Sequence, residues 1–374
     1  MQVAVVALLS ALLAYANGAN DVSKGIATLV GSGVANYRRA ILWGTAWTAL
    51  GAVAASVFAG AMLATFGAGL LAAGITPSFP TAAAALAGAG AWVFIATRAS
   101  VPVSTTHALV GAMIGAGVSA YGLEGIAWSA LATKIALPLL VSPVAAVLLT
   151  RGLSRIWTGG FGPARATADC VCVSADTAPN VQWGSSSTAA LSTVSGLELS
   201  LAVGDAAGCQ TTQPTAWRVT GDHLHWLSSG AVSFARGLND APKIVGLALA
   251  AMALASPSLV SDQLTYFLLV TGGLVAGSLI AGHRVTRALA EDVTPMGHRD
   301  GLVANLVTAS LVSAGAVYGL PMSTTQVSAG GIMGIGAERG SLNWRTVRWI
   351  ALAWIVTVPA AAALGAAAYA VARW

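Results

Sequence analysis

The chain has 374 residues, of which 56% are hydrophobic and only 8% are charged. Soluble domains carry about 25% charged residues, so this composition excludes an ordinary soluble protein and predicts a polytopic membrane protein. The formal net charge of +5 does not indicate nucleic-acid binding, because the arginines cluster at the ends of apolar stretches, where they set membrane topology.

The first predicted element is an apolar span near residues 3–30 that polar residues interrupt. The interruption reads YANGANDVSKG and carries a carboxylate, an ammonium group and two amides. A charge at the bilayer centre costs roughly 2.5–3.5 kcal/mol on insertion scales and usually faces a transport pathway. Spacings of three and four residues allow four polar side chains to share one helical face. They are Asn17, Asn20, Asp21 and Lys24.

Two interpretations of this interruption remain open. Carboxylate and amide oxygens, with backbone carbonyls freed by a break in the helix at Gly18 and Gly25, are hard ligands that suit an alkali cation such as sodium. The alternative is an intramembrane ion pair between Asp21 and Lys24 that only locks two helices together.

A span near 40–65 follows, and the next apolar stretch contains the sequence VPVSTTH. Proline stops one helical arm, and Ser or Thr caps the next. The first turn after the cap presents unpaired N–H groups and the positive end of a helix dipole, and the hydroxyls of Ser104, Thr105 and Thr106 add donors for a compact oxyanion. Ordinary N-capping is the alternative. His107 could bond the substrate or titrate during transport, or serve as a hydrogen-bonding packing residue.

A polar segment, residues 152–225, separates the two apolar parts of the chain. Alternating stretches such as LELSLAV predict short strands of a small β-rich domain. Arginines at the end of the preceding span place it in the cytoplasm, where thiols stay reduced. Five residues could supply a zinc site, although their spacing matches no standard zinc pattern. The favoured alternative is that the cysteines are free and the histidines lie on a strand face. They are Cys170, Cys172, Cys209, His223 and His225.

Both polar motifs recur 219 residues later, as RGLNDAPKIVG and LPMSTTQ. The matched residues are Asn20 and Asn239, Asp21 and Asp240, Lys24 and Lys243, and Ser104-Thr105-Thr106 and Ser323-Thr324-Thr325. Two separate motifs with one offset predict a duplicated chain. We expect a first transmembrane repeat at 1–151 and a second at 226–374, with the polar insertion between them.

Charge placement predicts that the two repeats cross the membrane in opposite senses. The first span of repeat one ends at the basic sequence NYRRA, whereas the matching span of repeat two ends at ASPSLVSD, which has no basic residue. Such inverted repeats are the plan of many secondary transporters. If the basic ends of the spans lie in the cytoplasm, the segments at about 81–121 and 301–336 must enter and leave the membrane on the same side, as re-entrant hairpins. Both termini then lie outside.

The sequences GANDVSKG and GLNDAPK, with PVSTTH and PMSTT, resemble the paired signatures of the inorganic phosphate transporter (PiT) family. The resemblance implies an all-α polytopic membrane protein with two inverted repeats, re-entrant hairpins and broken helices, here with a β-rich cytoplasmic insertion. It implies symport of phosphate with sodium or protons by alternating access in the cell (inner) membrane, commonly as a homodimer. A symporter of sulfate or another oxyanion and a passive ion channel are the alternatives.

The resemblance also carries roles onto individual residues. Phosphate binding falls on the six hydroxyls of Ser104, Thr105, Thr106, Ser323, Thr324 and Thr325, and cation binding falls on Asn20, Asp21, Asn239 and Asp240, with sodium at the two carboxylates. Accessory roles fall on Asn17, Lys24, Lys243 and His107. The family often has small residues after GANDV, whereas Lys24 lies there in this chain. No nucleophile pattern lies near a span, so we expect neither an enzyme nor a cofactor.

Overall fold

The computed structural model describes residues 1–67, 69–160, 170–176, 188–194, 197–204, 217–253 and 263–373. Among these residues, seven helices are long and apolar enough to cross a membrane, in line with the predicted polytopic membrane protein. The helices before the insertion are α1 (Gln2–Gly31), α2 (Tyr37–Phe58), α3 (Gly60–Gly67), α4 (Phe79–Arg98), α5 (Thr105–Tyr121), α6 (Trp128–Ala130) and α7 (Leu137–Gly160). A π-helical turn, Leu131–Ala136, joins α6 to α7.

The helices after the insertion follow a similar order. They are α8 (Gly221–Ala253), α9 (Gln263–Ala281), α10 (His283–Ala290), α11 (His298–Val317), α12 (Thr324–Arg339) and α13 (Trp344–Ala372). The first residues of α1 and α8, of α4 and α11, and of α5 and α12 are each 219 residues apart. The offset found between the motifs therefore also relates the helices that carry them.

The long first helix of each half packs against the second helix of the other half, α1 on α9 and α8 on α2. At Gly277 of α9, the carbonyl oxygen of Tyr15 lies where a Cβ atom would be, and at Gly51 of α2 the carbonyl of Phe234 does the same. Tyr15 and Phe234 are themselves 219 residues apart. The two halves are thus interlocked, and α1 and α8, which carry the charged motifs, lie against each other at the centre.

The second arm of each hairpin also packs through glycines. Gly115 of α5 lies against the carbonyl oxygen of Ala362 in α13, and Gly334 of α12 lies against that of Val147 in α7. A methyl group at either glycine would collide with backbone atoms, which cannot move aside as a side chain can. These contacts fix the hairpins of one half against the last long helix of the other.

The predicted breaks in the two motif helices are wrong, because α1 and α8 run unbroken through the motifs and Pro242 lies inside α8 without ending it. Gly18 and Gly25 serve close packing instead, since the Leu274 carbonyl and the Ser233 hydroxyl occupy the positions of their absent Cβ atoms. The polar side chains of the motifs find partners on neighbouring elements. The helices therefore need not unwind to satisfy them.

Four strands lie between α7 and α8, namely β1 (Cys170–Asp176), β2 (Thr188–Val194), β3 (Leu197–Gly204) and β4 (Trp217–Thr220). They form one antiparallel sheet in the order β2-β3-β1-β4, with Cys170 opposite Gly204 on one side and Thr220 on the other. The flanking helices reach into both ends of the predicted insertion, because α7 continues to Gly160 and α8 begins at Gly221. The cytoplasmic location of this sheet stays a prediction.

Two ion pairs and a histidine–carboxylate contact join four helices at one end of the helical bundle. Arg151 in α7 lies 3.1 Å from Glu338 in α12, and Arg339 lies 2.8 Å from Asp300 in α11. Asp222, in the first turn of α8, lies 2.7 Å from His298 at the start of α11. Charged side chains therefore concentrate at this end, which we call the arginine-rich end.

Candidate functional site

The tips of the two hairpins meet in the interior of the molecule. The hydroxyl of Thr325 in the second hairpin donates a hydrogen bond to the Val103 carbonyl of the first tip, at 2.7 Å. The hydroxyl of Thr106 in the first hairpin donates to the Met322 carbonyl of the second tip, at 3.3 Å. All these residues except Met322 are buried, so the S-T-T segments of the two halves form one internal cluster.

The serine of each S-T-T segment caps its helix. The Ser104 oxygen accepts a hydrogen bond from the His107 N–H at 3.3 Å, and the Ser323 oxygen accepts one from the Gln326 N–H at 3.2 Å. These are the N-cap bonds that the capping alternative predicts. A serine oxygen that accepts from the backbone still has its own O–H free to donate, so capping and anion binding are compatible.

The first charged motif forms a closed set of contacts around Lys24. Its ammonium nitrogen lies 2.7 Å from Asp21 Oδ1, 2.7 Å from Asn20 Oδ1 and 2.8 Å from the Asn20 carbonyl oxygen. The amide nitrogen of Asn20 in turn donates to the Thr97 hydroxyl and the Val101 carbonyl, both at 3.0 Å. Asn20 therefore ties α1 to the first hairpin.

The second charged motif reaches across both hairpins. The ammonium nitrogen of Lys243 lies 3.1 Å from Asp240 Oδ1, 3.0 Å from the Met322 carbonyl oxygen and 2.7 Å from the hydroxyl of Thr106 in the other half. The amide nitrogen of Asn239 donates to Asp240 Oδ1 at 2.9 Å and to the Met322 carbonyl at 3.0 Å. Lys243 is thus a direct link between the two repeats.

Asn17 brings the two motif carboxylates together. Its amide nitrogen lies 3.3 Å from Oδ2 of both Asp21 and Asp240, and 2.9 Å from the Thr105 hydroxyl. Both carboxylates are almost completely buried. The predicted cation-binding and anion-binding residues of the two halves therefore belong to one cluster, which we call the central cluster. It comprises Asn17, Asn20, Asp21, Lys24, Ser104, Thr105, Thr106, Arg236, Asn239, Asp240, Lys243, Ser323, Thr324 and Thr325.

Arg236 is the member of the central cluster that the sequence predictions missed. Its side chain is fully buried, and none of its three guanidinium nitrogens has a hydrogen-bond partner among the described residues. Its charge interacts with the charges of both Asp21 and Asp240. A signal was present in the sequence, because Arg236 is the first residue of the second polar motif and aligns with Asn17 at the same 219-residue offset.

The central cluster has an excess of positive charge. Its ionisable side chains are three cations and two carboxylates, all buried: Lys24, Lys243, Arg236, Asp21 and Asp240. Each lysine is paired with one aspartate, so the formal excess is the charge of the guanidinium. An uncompensated buried charge is costly, and an anion at the site would offset that cost.

The side chains of His107 and of the two histidines of the weak metal hypothesis make none of these contacts among the described residues, although the backbone N–H of His107 bonds to Ser104. His107 is half-buried, and its Nδ1 atom has no partner in the described part of the chain. His225 is buried, whereas His223 is exposed. No group of three or more His, Cys, Asp or Glu residues that could hold a metal occurs among the residues the structure describes. Only the backbone of Cys170 and Cys172 is described, in β1, and Cys209 lies outside the described residues.

Known proteins are similar to this chain in sequence and in fold over nearly its whole length. The chain is 29% identical to inorganic phosphate transporter 2-1, chloroplastic, of Arabidopsis thaliana, over 94% of this chain and 69% of the relative. It is 28% identical to a "Probable low-affinity inorganic phosphate transporter" of Rhizobium meliloti, over 95% and 92%. A solved structure titled "The sodium-dependent phosphate transporter" has the same fold, with a TM-score of 0.78 at 24% identity, covering 100% of this chain and 99% of that one. The model of the phosphate transporter family matches residues 17–365, which include both motifs and both hairpins, and the chain therefore belongs to the phosphate transporter family.

Proposed function

We propose that this protein moves inorganic phosphate across the cell (inner) membrane by alternating access, coupled to the entry of a cation, sodium or proton. Family membership and the names of the relatives support phosphate as the substrate. The observation that carries the proposal is the buried guanidinium of Arg236, which has no hydrogen-bond partner among the described residues, in an interior that also holds the two capped helix N-termini of the hairpin tips. A compact anion with many acceptor oxygens satisfies both features.

The six hydroxyls of the hairpin tips are the proposed phosphate ligands, together with the N-termini of α5 and α12. The hydroxyl oxygens of Ser104, Ser323 and Thr324 accept hydrogen bonds, from the His107 and Gln326 N–H groups and the Asn239 amide, and in the described residues none of the three donates one. Three O–H donors are therefore available to an anion. The hydroxyls of Thr106 and Thr325 now donate to carbonyl oxygens of the opposite tip and would exchange those acceptors for phosphate oxygens.

Coupling to a cation has a physical reason in this proposal. A multiply charged anion enters a low-dielectric site at a high desolvation cost, which a positive charge at the same site offsets. The proposed cation ligands are Asn20, Asp21, Asn239 and Asp240. They lie in the same cluster as the hairpin tips, so cation and anion binding would reinforce each other.

The architecture we propose for transport is a pair of inverted repeats, 1–151 and 226–374, that exchange access to the central cluster. The second hairpin arms, α5 and α12, have 17 and 16 residues. At 1.5 Å per residue they are roughly 24–26 Å long, shorter than the ~30 Å hydrocarbon core, which supports second arms that do not span it. The first arms, α4 and α11, have 20 residues each and are long enough to cross. The arginine-rich end would face the cytoplasm with the insertion, and the termini would lie outside. A homodimer is implied by the family resemblance.

Uptake of labelled phosphate into proteoliposomes tests this function. Sodium and proton gradients are applied separately, with unlabelled sulfate as competitor. Accumulation of phosphate above equilibrium under one gradient supports symport. Flux that only equilibrates phosphate indicates a passive channel, and stronger inhibition by sulfate than by unlabelled phosphate indicates a sulfate carrier of the same fold.

A further inference from the structure

We propose that the ammonium groups of Lys24 and Lys243 occupy the two cation positions of the central cluster, so that this carrier moves its anion without sodium. The inference rests on the proposed phosphate transport and concerns its coupling ion. The proposed function allows sodium or the proton as the coupling cation, and this inference excludes sodium.

The contacts of Lys24 are those expected of a bound alkali cation. Its nitrogen is surrounded by a carboxylate oxygen of Asp21, the side-chain oxygen of Asn20 and the backbone oxygen of Asn20, all within 2.8 Å. These are the three kinds of oxygen that suit an alkali cation at this motif. An ammonium group has three N–H donors, so its bonding capacity is filled by these three acceptors.

Lys243 also pairs with the aspartate of its own motif, but its other two contacts come from the hairpins and not from Asn239. A carboxylate oxygen of Asp240, the backbone oxygen of Met322 and the hydroxyl oxygen of Thr106 lie 3.1, 3.0 and 2.7 Å from its nitrogen. Again three oxygens of three different kinds surround one buried positive charge. The Thr106 contact also places this fixed cation directly beside the proposed anion site.

The charge balance of the central cluster disfavours an added cation, although the buried Oδ1 atoms of Asn17 and Asn239 have no partner among the described residues. Asp21 pairs with Lys24, and Asp240 pairs with Lys243. Arg236 then makes the cluster positive before any ion enters. A sodium ion would have to displace a covalently tethered ammonium group or sit beside one, where like charges repel strongly in a buried site.

The distribution of lysine in the chain supports the same assignment. The sequence has only three lysines among its 18 basic residues, and two of them lie at matched positions in the motifs, 219 residues apart. The third, Lys134, is exposed on the π-helical turn before α7. The remaining residues of these 18 are arginines. An ammonium group is a compact point charge on a flexible stem and resembles a small cation more closely than a guanidinium does.

The test compares full-length wild type with Lys24→Asn and Lys243→Asn, which replace each ammonium group by a neutral oxygen ligand. Lys134→Asn is the matched control, because it removes a lysine outside the central cluster. Phosphate uptake into proteoliposomes is measured in sodium and in choline media at the same pH and proton gradient. We expect equal uptake in both media for wild type and control. In each motif variant, uptake should fall at least tenfold in choline and recover saturably with sodium.

A second measurement decides the inference independently of transport. The melting temperature of the purified proteins is recorded at constant ionic strength with sodium exchanged for choline. We expect a sodium-dependent rise in the two motif variants and none in wild type or Lys134→Asn. A sodium-dependent rise in wild type, or wild-type uptake that requires sodium, would overturn the inference while leaving phosphate transport intact. Absence of phosphate uptake under every gradient would overturn the proposed function, and the melting temperatures would still decide the role of the lysines.

Discussion

Replacing Arg236 by methionine separates anion binding from fold stability. The guanidinium is fully buried and without a hydrogen-bond partner among the described residues, so Arg236→Met removes a cation that stabilises nothing by hydrogen bonding. A buried polar group left unsatisfied costs about 1–3 kcal/mol, so we expect the melting temperature without phosphate to hold or rise. The pairs of Asp21 with Lys24 and of Asp240 with Lys243 remain in the variant.

The same substitution should weaken phosphate binding strongly. Losing one hydrogen bond to a charged partner costs about 1.5–3 kcal/mol, which corresponds to roughly a tenfold to hundredfold rise in Kd. Equilibrium binding of labelled phosphate to the purified protein measures this. Arg98→Met is the control, because Arg98 is exposed and its guanidinium lies 4.8 Å from the centroid of the Phe94 ring. Unchanged phosphate affinity in Arg236→Met would refute the reasoning, as would a large loss of stability at unchanged affinity.

Three further predictions concern the charged pairs, the packing of the halves and the insertion. Asp21→Asn and Asp240→Asn should each abolish coupled phosphate uptake and lower stability by about 3–5 kcal/mol, because each leaves a buried lysine unpaired. Phosphate uptake and thermal melting of the membrane-inserted variants test this, and wild-type coupling in both variants would disprove it. Gly277→Ala should destabilise the protein by about 1–3 kcal/mol, since its Cβ would meet the backbone of α1, whereas Gly272→Ala in the same helix has nothing within 4 Å and should be neutral or slightly stabilising; equal melting temperatures would contradict this. Replacing residues 161–218 by a Gly/Ser linker should leave substantial uptake, because both motif pairs lie outside this segment. Complete loss of uptake in a deletion variant that is monodisperse after purification would make the segment part of the transport step.

The starting positions of equivalent helices were a part of the fold that the sequence could predict. Identical spacing of two motif pairs predicts that equivalent helices start at equivalent positions, and three pairs of helices do so. The predicted hairpins likewise correspond to α4–α5 and α11–α12. Local signals suffice here, because proline, a capping serine and apolar length determine where a helix begins and ends.

The contacts within the central cluster could not be predicted, because they join residues far apart in the chain. Lys243 bonds to Thr106 of the other repeat, across 137 positions, and nothing local in either segment indicates that pairing. The expected helix breaks failed for a different reason. Lys24 reaches the carboxylate of Asp21 and both oxygens of Asn20 within its own unbroken helix, so no turn has to unwind to supply an acceptor. Arg236 was overlooked because its counterpart, Asn17, is not identical.

The most direct test of the central claim is phosphate binding to variants of the two hairpin tips. Ser104 and Thr324 lie on different repeats, and both have an O–H that donates no bond among the described residues. If both tips hold one phosphate, Ser104→Ala and Thr324→Ala should each weaken binding about tenfold to hundredfold. The double variant should then lose nearly all phosphate-dependent stabilisation. Unchanged phosphate affinity in both single variants, with the stability of Ser104→Ala lowered by the ~0.5–2 kcal/mol of a lost cap, would contradict the account and reduce the S-T-T segments to helix caps.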